Sequence, residues 1–186
     1  HRVDTRDGRR DRGRAGVAAA VTAAATVEHR YAPRGAALRL LTDRSGELLL
    51  SGPAGTGKSR ACLERLHMTM LANPGARGLI VRKTGVSLTF TCLVTWREHV
   101  VKEGLAARVL VYYGGSQEEP PQYRYGNGSR VMIGGLDKAS KIMSSDYDVI
   151  YAGEAIELTV TDWESATSRL RNGVMPYQQL IADTNP

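Results

Sequence analysis

Short runs of apolar residues alternate along the chain with segments whose apolar positions recur at helical spacing. Glu47–Ser51 and Gly78–Arg82 are apolar runs, which are typical of strands buried on both faces of a sheet. Each run is followed by a segment that predicts a helix, Lys58 to Ala72 after the first and Val86 to Val101 after the second. This alternation predicts an α/β fold with a mostly parallel sheet covered by helices on both faces.

The second half of the chain adds one antiparallel feature and two more strands. Asn127-Gly128 lies between two segments of strand character and predicts an antiparallel hairpin, inserted in the sheet or at its edge. Residues 148–152 and 179–182 are apolar runs that predict further buried strands. Between these strands, Thr161–Glu164 has the pattern of a capping box and predicts a helix that extends to about Arg171.

The bulk composition is that of a globular protein, with 42% hydrophobic and 24% charged residues. No apolar run approaches the roughly 20 residues that a membrane-spanning helix needs, so we expect no membrane partner. Cys62 and Cys92 show no CxxC spacing, and their apolar surroundings predict buried thiols in a reducing compartment.

The positive charge is concentrated at the start of the chain. The formal net charge is +6, and residues 1–14 contain six arginines against three aspartates. Residues 1–28 are low in complexity, and we predict that they form a disordered basic arm ahead of a domain over residues 29–186. Such an arm suits the phosphates of a nucleic acid. A solvated tail with no partner fits the same composition at least as well.

One glycine-rich motif predicts a phosphate-binding loop. Gly52–Ser59 matches GxxxxGK[ST] at every fixed position, with a predicted strand before it and a predicted helix after it. The glycines let successive backbone N–H groups point at phosphate oxygens, and the helix adds the positive end of its dipole. Lys58 is predicted to reach the β- and γ-phosphates and Ser59 to ligate Mg²⁺, so ATP and Mg²⁺ are the expected cofactors. The predicted phosphate-binding positions are Gly52, Pro53, Ala54, Gly55, Thr56, Gly57, Lys58 and Ser59.

A glutamate follows the predicted strand over residues 148–152. In the ATPase branch of P-loop proteins a glutamate at such a strand tip polarises the attacking water, which makes Glu154 the predicted catalytic carboxylate. Many of these ATPases carry, immediately before it, an aspartate that holds Mg²⁺ through water, and this chain has Gly153 there. Asp148 lies at the other end of the strand, about 16 Å away. We therefore expect Mg²⁺ to rest on Ser59, the phosphates and water.

Small polar residues follow the last predicted strand. Thr184 and Asn185 are candidates to sense the γ-phosphate and to pass its loss to neighbouring elements. A simple loop fits this short pattern equally well.

Together these motifs resemble the ATPase domain of bacteriophage terminase large subunits, the motors that package viral DNA. The resemblance covers roughly residues 31–186 and implies a P-loop NTPase fold. The segments that carry it are Tyr31–Ala37, Leu50–Arg60, Arg77–Thr84, Gly134–Ser144, Tyr151–Thr159, Leu170–Gly173 and Ala182–Pro186.

The resemblance implies roles for individual residues beyond those that the motifs predict. Arg60 completes the nucleotide-binding motif, and Tyr31 and Arg34 lie where the family contacts adenine. Thr184 and Asn185 correspond to the segment that couples hydrolysis to motion.

The resemblance also implies partners. Motors of this family form homo-oligomeric rings on a portal, act on double-stranded viral DNA with a small terminase subunit, and work in the cytoplasm of the infected bacterium. A basic residue of one subunit completes the site of its neighbour, for which Lys138, Lys141 and Arg82 are the candidates.

The sequence therefore predicts an ATP-hydrolysing DNA translocase. The chain ends where the linker and nuclease of the family would begin, so we expect no nuclease activity from it. One alternative is another P-loop ATPase, helicase-like or a small-molecule kinase, although the arginines cluster in the arm and not in a predicted lid. Another alternative is a module that binds nucleotide without turnover, which Gly153 keeps open.

Overall fold

The computed structural model describes residues 27–138 and 142–186, and its central feature is one seven-stranded sheet. The strands are β1 Glu47–Ser51, β2 Arg77–Arg82, β3 Leu110–Tyr113, β4 Gln122–Tyr125, β5 Arg130–Gly135, β6 Val149–Ala152 and β7 Gln179–Thr184. Their order across the sheet is β1-β7-β6-β2-β5-β4-β3. The first five strands in this order pair in parallel, whereas β4 pairs antiparallel with both β5 and β3. The predicted fold class is confirmed.

Helices connect the strands and cover the sheet. They are α1 Ala36–Leu40, α2 Lys58–Ala72, α3 Gly85–Phe90, α4 Cys92–Thr95, α5 Lys102–Ala106 and α6 Val160–Thr167. A π-helix spans Trp96–Val100, and 3₁₀-helices span Leu136–Lys138 and Ala155–Glu157. No helix in the described part of the chain is long and apolar enough to cross a membrane.

The side chains of β6 explain why its sequence is apolar throughout. Val149 and Tyr151 belong to a core cluster that includes the buried face of α2. Ile150 and Ala152 belong to a second cluster, which includes a residue of α6. Successive side chains of a strand point to opposite faces, so a strand covered on both faces has no polar position to alternate with.

Several element boundaries agree with the sequence patterns. Both β1 and α2 begin and end at the predicted residues. The strand β2 begins one residue early, at Arg77, and β7 extends to Thr184. The predicted hairpin is formed by β4 and β5, with Gly128 at a φ of 87° in the turn. The predicted arm over residues 1–28 lies almost wholly outside the described residues.

The prediction of one continuous helix from Val86 to Val101 is wrong. The segment contains α3, α4 and the π-helix, and the first break falls at Thr91, whose φ of −127° and ψ of −76° are not helical. The Thr91 hydroxyl accepts a hydrogen bond from the guanidinium of Arg82 at 2.6 Å. The same hydroxyl donates to the backbone carbonyl of Ser87 at 2.8 Å, and a side-chain bond to the carbonyl four residues earlier bends helices.

The predicted capping box is displaced by two residues. Thr159 is the N-cap of α6, its hydroxyl accepts from the backbone N–H of Asp162, and the Asp162 carboxylate accepts from the N–H of Thr159. The helix also ends at Thr167, short of Arg171. Lys83 pairs with Asp162 at 2.6 Å, and this ion pair joins the end of β2 to the start of α6.

The parallel strands bring three chain segments to one edge of the sheet. The carboxyl ends of β1, β7 and β6 are adjacent there, because β7 lies between the other two strands. The loop after β1 and the residues that follow β6 and β7 therefore meet at this edge, which is where ligands bind in open α/β sheets.

Candidate active site

The loop over residues 52–57 connects β1 to α2 and leaves its backbone open to solvent. Gly55 and Gly57 have φ angles of 76° and 80°, in the left-handed region that favours glycine. The helix that follows is 15 residues long and starts at Lys58. A curled loop that leads into a helix N-terminus offers backbone N–H groups and a positive dipole end to an anion.

Lys58 folds back over this loop. Its Nζ donates to the carbonyl of Pro53 at 2.7 Å and to Oδ1 of Asn185 at 3.1 Å. The ammonium group is thus held between the loop and the end of β7. An anion bound on the loop would therefore contact the ammonium group of Lys58.

Glu154 lies across from the loop, two residues after β6. Its φ of 53° and ψ of 64° put a non-glycine residue in the left-handed region, a conformation that costs about 1–3 kcal/mol and clusters at functional sites. The backbone N–H of Glu154 donates to Oδ1 of Asp183 at 3.3 Å, and each carboxylate oxygen lies 3.4 Å from Nδ2 of Asn185. These hydrogen bonds hold the backbone and the carboxylate of Glu154 in place.

An open cavity of about 510 Å³ lies between the loop and Glu154. Its lining includes two residues that the sequence analysis missed, Thr95 at the end of α4 and His99 in the π-helix. The remaining lining residues are Ala54, Gly55, Gly57, Lys58, Ser59, Arg60 and Asn185. No local sequence signal marks a π-helix, although such turns occur frequently at functional sites.

The hydroxyl of Ser59 contacts a carboxylate that the sequence analysis did not single out. Ser59 Oγ donates to Oδ2 of Asp183 at 2.5 Å, and the phenol of Tyr151 donates to Oδ1 at 2.8 Å. Asp183 is only 2% exposed, and Tyr151 is fully buried. Burial, and then the nearby Cys92 thiol and Asp183 carboxylate, raise the pKa of Tyr151, so its phenol stays protonated and donates.

Two oxygen groups in this arrangement fit the magnesium ion that the motif implies. The Ser59 hydroxyl and the Asp183 carboxylate are hard oxygen donors, which Mg²⁺ prefers. Mg²⁺ is usually bound by one or two protein groups, with substrate phosphates and water completing the octahedron. The residues present therefore suit the ion.

The packing around Gly153 explains why the expected aspartate is missing there. A Cβ atom at this position would lie 2.7 Å from Sγ of Cys92 and 3.2 Å from the hydroxyl of Tyr151. No side chain fits at such distances unless its neighbours move.

Asp148, at the opposite end of β6, has a structural role. Its buried carboxylate accepts hydrogen bonds from the backbone N–H groups of Arg77, Val174 and Met175 and from the amide of Asn172. These bonds tie the start of β2 to the loop before β7. The group is fully used at that end of the sheet.

Tyr31 contacts Arg60, which lies in the first turn of α2. The Arg60 guanidinium carbon is 5.2 Å from the centroid of the Tyr31 ring, and Arg60 Nε donates to the buried carboxylate of Glu64 at 3.2 Å. Burial first, and then the charge of Glu64, raise the pKa of Tyr31. Arg34 is exposed and lines a second cavity of about 500 Å³, along with β1 and part of the loop over residues 52–57.

Thr184 connects the loop to β7. Its carbonyl accepts from the N–H of Gly52 at 3.4 Å, which continues the β1–β7 pairing into the phosphate loop. Its hydroxyl donates to the carbonyl of Asn185 at 3.0 Å. The bond from Gly52 joins the end of β7 to the first residue of the loop.

The basic residues named as candidates to act in a neighbouring subunit differ in their settings. Arg82 is 6% exposed, and its guanidinium is bound to Thr91 and to Glu157, which pairs with it at 2.8 Å. Lys138 is exposed and lines a separate cavity of about 360 Å³ that shares no residue with the cavity beside Glu154. Lys141 lies outside the described residues.

Comparison with solved structures finds phage proteins of the same fold. The chain is similar to the large terminase of a thermophilic bacteriophage, with a TM-score of 0.63 and 16% identity, over 81% of this chain and 38% of that one. It is similar to the ATPase domain of the large terminase of Thermus phage P74-26, with a TM-score of 0.63 and 17% identity, over 84% of this chain and 66% of that one. Structures of the first protein include complexes with ADP and with ATP-gamma-S.

No protein-family model matches the chain, and no curated protein is significantly similar to it. The chain spans about 38% of the length of the thermophilic phage protein. At 16–17% identity the likeness concerns the fold, and it agrees with the family that the sequence motifs resemble. The chain has the P-loop α/β fold of phage large terminase ATPase domains.

Proposed function

We propose that this chain binds Mg·ATP on the loop over residues 52–59 and hydrolyses it as the motor domain of a terminase-type DNA translocase. The fold of phage large terminase ATPase domains supports the class of protein. The match of the loop to the P-loop pattern supports the substrate.

One observation carries the proposal. Lys58 and Glu154 line the same cavity, and the side chain of Asn185 contacts both of them. Lys58 is suited to bind the phosphates, and the carboxylate of Glu154 is suited to bind a water molecule. A cavity lined by these two groups has the components of in-line phosphoryl transfer to water.

The hydrolysis uses the residues of the chain as follows. The backbone N–H groups of the loop and Lys58 bind the β- and γ-phosphates and reduce their charge repulsion. Glu154 orients a water molecule and takes its proton as the water oxygen forms a bond to the γ-phosphorus. The bond between the γ-phosphorus and the β–γ bridging oxygen breaks. ADP leaves with the electron pair, and the γ-phosphoryl group is released as inorganic phosphate.

The hydroxyl of Ser59 is the P-loop group that would hold Mg²⁺. When bound there, the ion would neutralise the negative charge that develops on the phosphate oxygens during hydrolysis. Ser59 is the second residue of α2, directly after the loop. Its hydroxyl therefore lies at the point where both phosphates are expected.

Asn185 and Thr184 are suited to couple phosphate release to movement. A γ-phosphate competes with Asn185 for the ammonium group of Lys58, whose distance to Oδ1 of Asn185 is 3.1 Å. Loss of the phosphate restores this hydrogen bond. Because Thr184 is tied to the loop through Gly52, the end of β7 responds to the state of the nucleotide.

The partners belong to the same proposal. We expect double-stranded viral DNA as the translocated substrate, a homo-oligomeric ring seated on a portal, and a small terminase subunit. A basic residue of an adjacent subunit would complete the site, for which Lys138 and Lys141 remain the candidates, because Arg82 is buried and already paired with Glu157. The place of action would be the cytoplasm of the infected bacterium.

Tyr31, Arg34 and Arg60 are proposed to hold the remaining part of the nucleotide. The Tyr31 ring packs against the guanidinium of Arg60 in the first turn of α2, and Arg34 lines the cavity that also contains residues of β1. The Tyr31 ring and the Arg60 guanidinium are both flat, and either surface is suited to contact an adenine ring.

Phosphate release from ATP tests the proposal, measured with and without double-stranded DNA for the unmodified chain and for Lys58→Ala. We expect Mg²⁺-dependent turnover that DNA increases and that Lys58→Ala abolishes together with nucleotide binding. Lys102→Ala, an exposed lysine at the start of α5, is the matched control and keeps full turnover. Nucleotide binding without release under every condition would indicate a binding module. Transfer of phosphate to a small-molecule acceptor would indicate a kinase.

A further inference from the structure

We propose that Asp183, at the end of β7, supplies the metal-facing carboxylate that many P-loop ATPases carry immediately before the catalytic glutamate, and that Tyr151 is its positioning residue. The inference rests on the proposed function, because it concerns how the same site holds Mg²⁺. On this proposal the carboxylate lies on β7, whereas in those ATPases it directly precedes the glutamate on the strand that corresponds to β6.

The position of Asp183 in the sheet makes the exchange possible. The strands β6 and β7 are parallel neighbours in a register that pairs Ala152 with Ala182. Gly153 and Asp183 are the next residues on the two strands, so they reach the same level at the edge of the sheet. Neighbouring strands are about 4.8 Å apart, a distance that one side chain spans easily.

The carboxylate of Asp183 is already directed at the predicted metal ligand. Its Oδ2 lies 2.5 Å from Oγ of Ser59, while Oδ1 accepts from the phenol of Tyr151 at 2.8 Å and from the N–H of Glu154 at 3.3 Å. With Oδ1 occupied by two donors, the carboxyl group cannot rotate freely. The oxygen left for the metal site is the one beside Ser59.

The charge balance around Asp183 independently indicates a cation. The side chain is 2% exposed, yet within residues 27–138 and 142–186 no lysine, arginine or histidine forms an ion pair with it. A buried carboxylate without a counter-charge is costly, even when it is hydrogen-bonded. A divalent cation next to Ser59 would offset that cost.

The space at Gly153 completes the argument. A Cβ there would be 2.7 Å from Cys92 Sγ and 3.2 Å from the Tyr151 hydroxyl. The phenol that blocks an acid at position 153 is the same group that orients the acid at position 183. The glycine and the relocated carboxylate thus form one arrangement.

Binding of Mn²⁺, a paramagnetic substitute for Mg²⁺, tests the inference without relying on turnover. Free and bound Mn²⁺ are measured by electron paramagnetic resonance in titrations of the full chain with the non-hydrolysable analogue AMP-PNP. The variants are Asp183→Asn and Tyr151→Phe, both nearly isosteric. Asp146→Asn is the matched control, since Asp146 lies on the surface and pairs with Arg171. Thermal unfolding of each variant verifies that it is folded, and binding of AMP-PNP in EDTA verifies that the loop is intact.

We expect Asp183→Asn to weaken Mn²⁺ binding to the nucleotide complex by about 10- to 100-fold, the range for loss of a group that supports a metal ligand. Tyr151→Phe should weaken it several-fold, and excess Mn²⁺ should restore full occupancy. Metal-free AMP-PNP should bind both variants as it binds the unmodified chain.

The outcomes separate the two proposals. If folded Asp183→Asn binds Mn²⁺ as tightly as Asp146→Asn does, the role of Asp183 is refuted, whereas the proposed function stands. If Tyr151→Phe has no effect while Asp183→Asn does, the positioning role is refuted. If Asp183→Asn weakens Mn²⁺ binding as expected but the unmodified chain never releases phosphate, the ATPase proposal fails and the role of Asp183 is retained.

Discussion

The side-chain nitrogen of Asn185 lies 3.4 Å from each carboxylate oxygen of Glu154. The opposite end of the same amide accepts a hydrogen bond from Lys58 at 3.1 Å. The predicted catalytic base and the predicted phosphate-binding cation are therefore joined through one side chain. We expect a bound γ-phosphate to compete for Lys58 and so to interrupt this connection, which would let Asn185 sense the occupancy of the site.

Asn185→Ala is expected to lower the turnover of ATP about tenfold or more, because Glu154 loses the group that orients its carboxylate. Nucleotide affinity should change little, since Lys58 keeps its contact with the loop. Steady-state phosphate release and equilibrium nucleotide binding measure the two effects separately. An equal loss in both would mean that Asn185 acts on nucleotide binding instead.

Gly153→Ala is expected to destabilise the fold by about 1–3 kcal/mol, because the added Cβ is forced against Cys92 and Tyr151. Gly153→Asp should not strengthen metal binding, because an aspartate at this position meets the same crowding. Urea unfolding gives the stabilities. The control is Gly46→Ala, where a Cβ meets nothing within 4 Å.

Cys92→Ala should recover part of the stability lost in Gly153→Ala when the two changes are combined. The coupling energy in the double-mutant cycle then measures the clash itself. Strictly additive effects of the two substitutions would contradict the crowding that the structure places at Gly153.

His67 should make stability depend on pH. Its Nδ1 lies 2.8 Å from the hydroxyl of Tyr125, and burial, with a smaller effect of the nearby His29, lowers the pKa of His67 from 6.5 to about 4. The unfolded chain therefore binds more protons between these values. The stability that the fold gains from keeping His67 neutral is fully present above about pH 6.5 and is lost as the pH falls towards 4.

The size of this effect follows from the shift, since one pKa unit corresponds to 1.36 kcal/mol, which gives about 3 kcal/mol in total. Urea unfolding at pH 7.5 and at pH 4.5 should show that His67→Phe loses less stability on acidification than the unmodified chain does. Parallel losses in the two proteins would contradict the assignment to His67.

Local patterns were enough to predict the elements that form the proposed phosphate site. Strand, glycine loop and helix are contiguous over residues 47–72, so the geometry of Lys58 and Ser59 follows from one short segment. Glu154 was likewise evident as an acid at a strand tip. In both cases the chemistry depends on neighbours in sequence.

The residues that were missed depend on contacts between distant segments. Asp183 meets Ser59 only because β7 lies between β1 and β6, and the sequence does not state that order. Thr95 and His99 reach the cavity because the helix after β2 breaks at Thr91 and then forms a π-turn. The tight space at Gly153 depends on Cys92 in that same broken helix.

The proposed hydrolysis depends on Glu154 as the base, and the turnover of ATP by Glu154→Gln measures that role. The substitution keeps the size of the side chain and removes its ability to take a proton, so we expect kcat to fall by about 10²- to 10⁴-fold while ATP affinity stays within a few-fold. Glu164→Gln, an exposed glutamate on α6, should keep full turnover. Hydrolysis at an undiminished rate in Glu154→Gln would contradict the account.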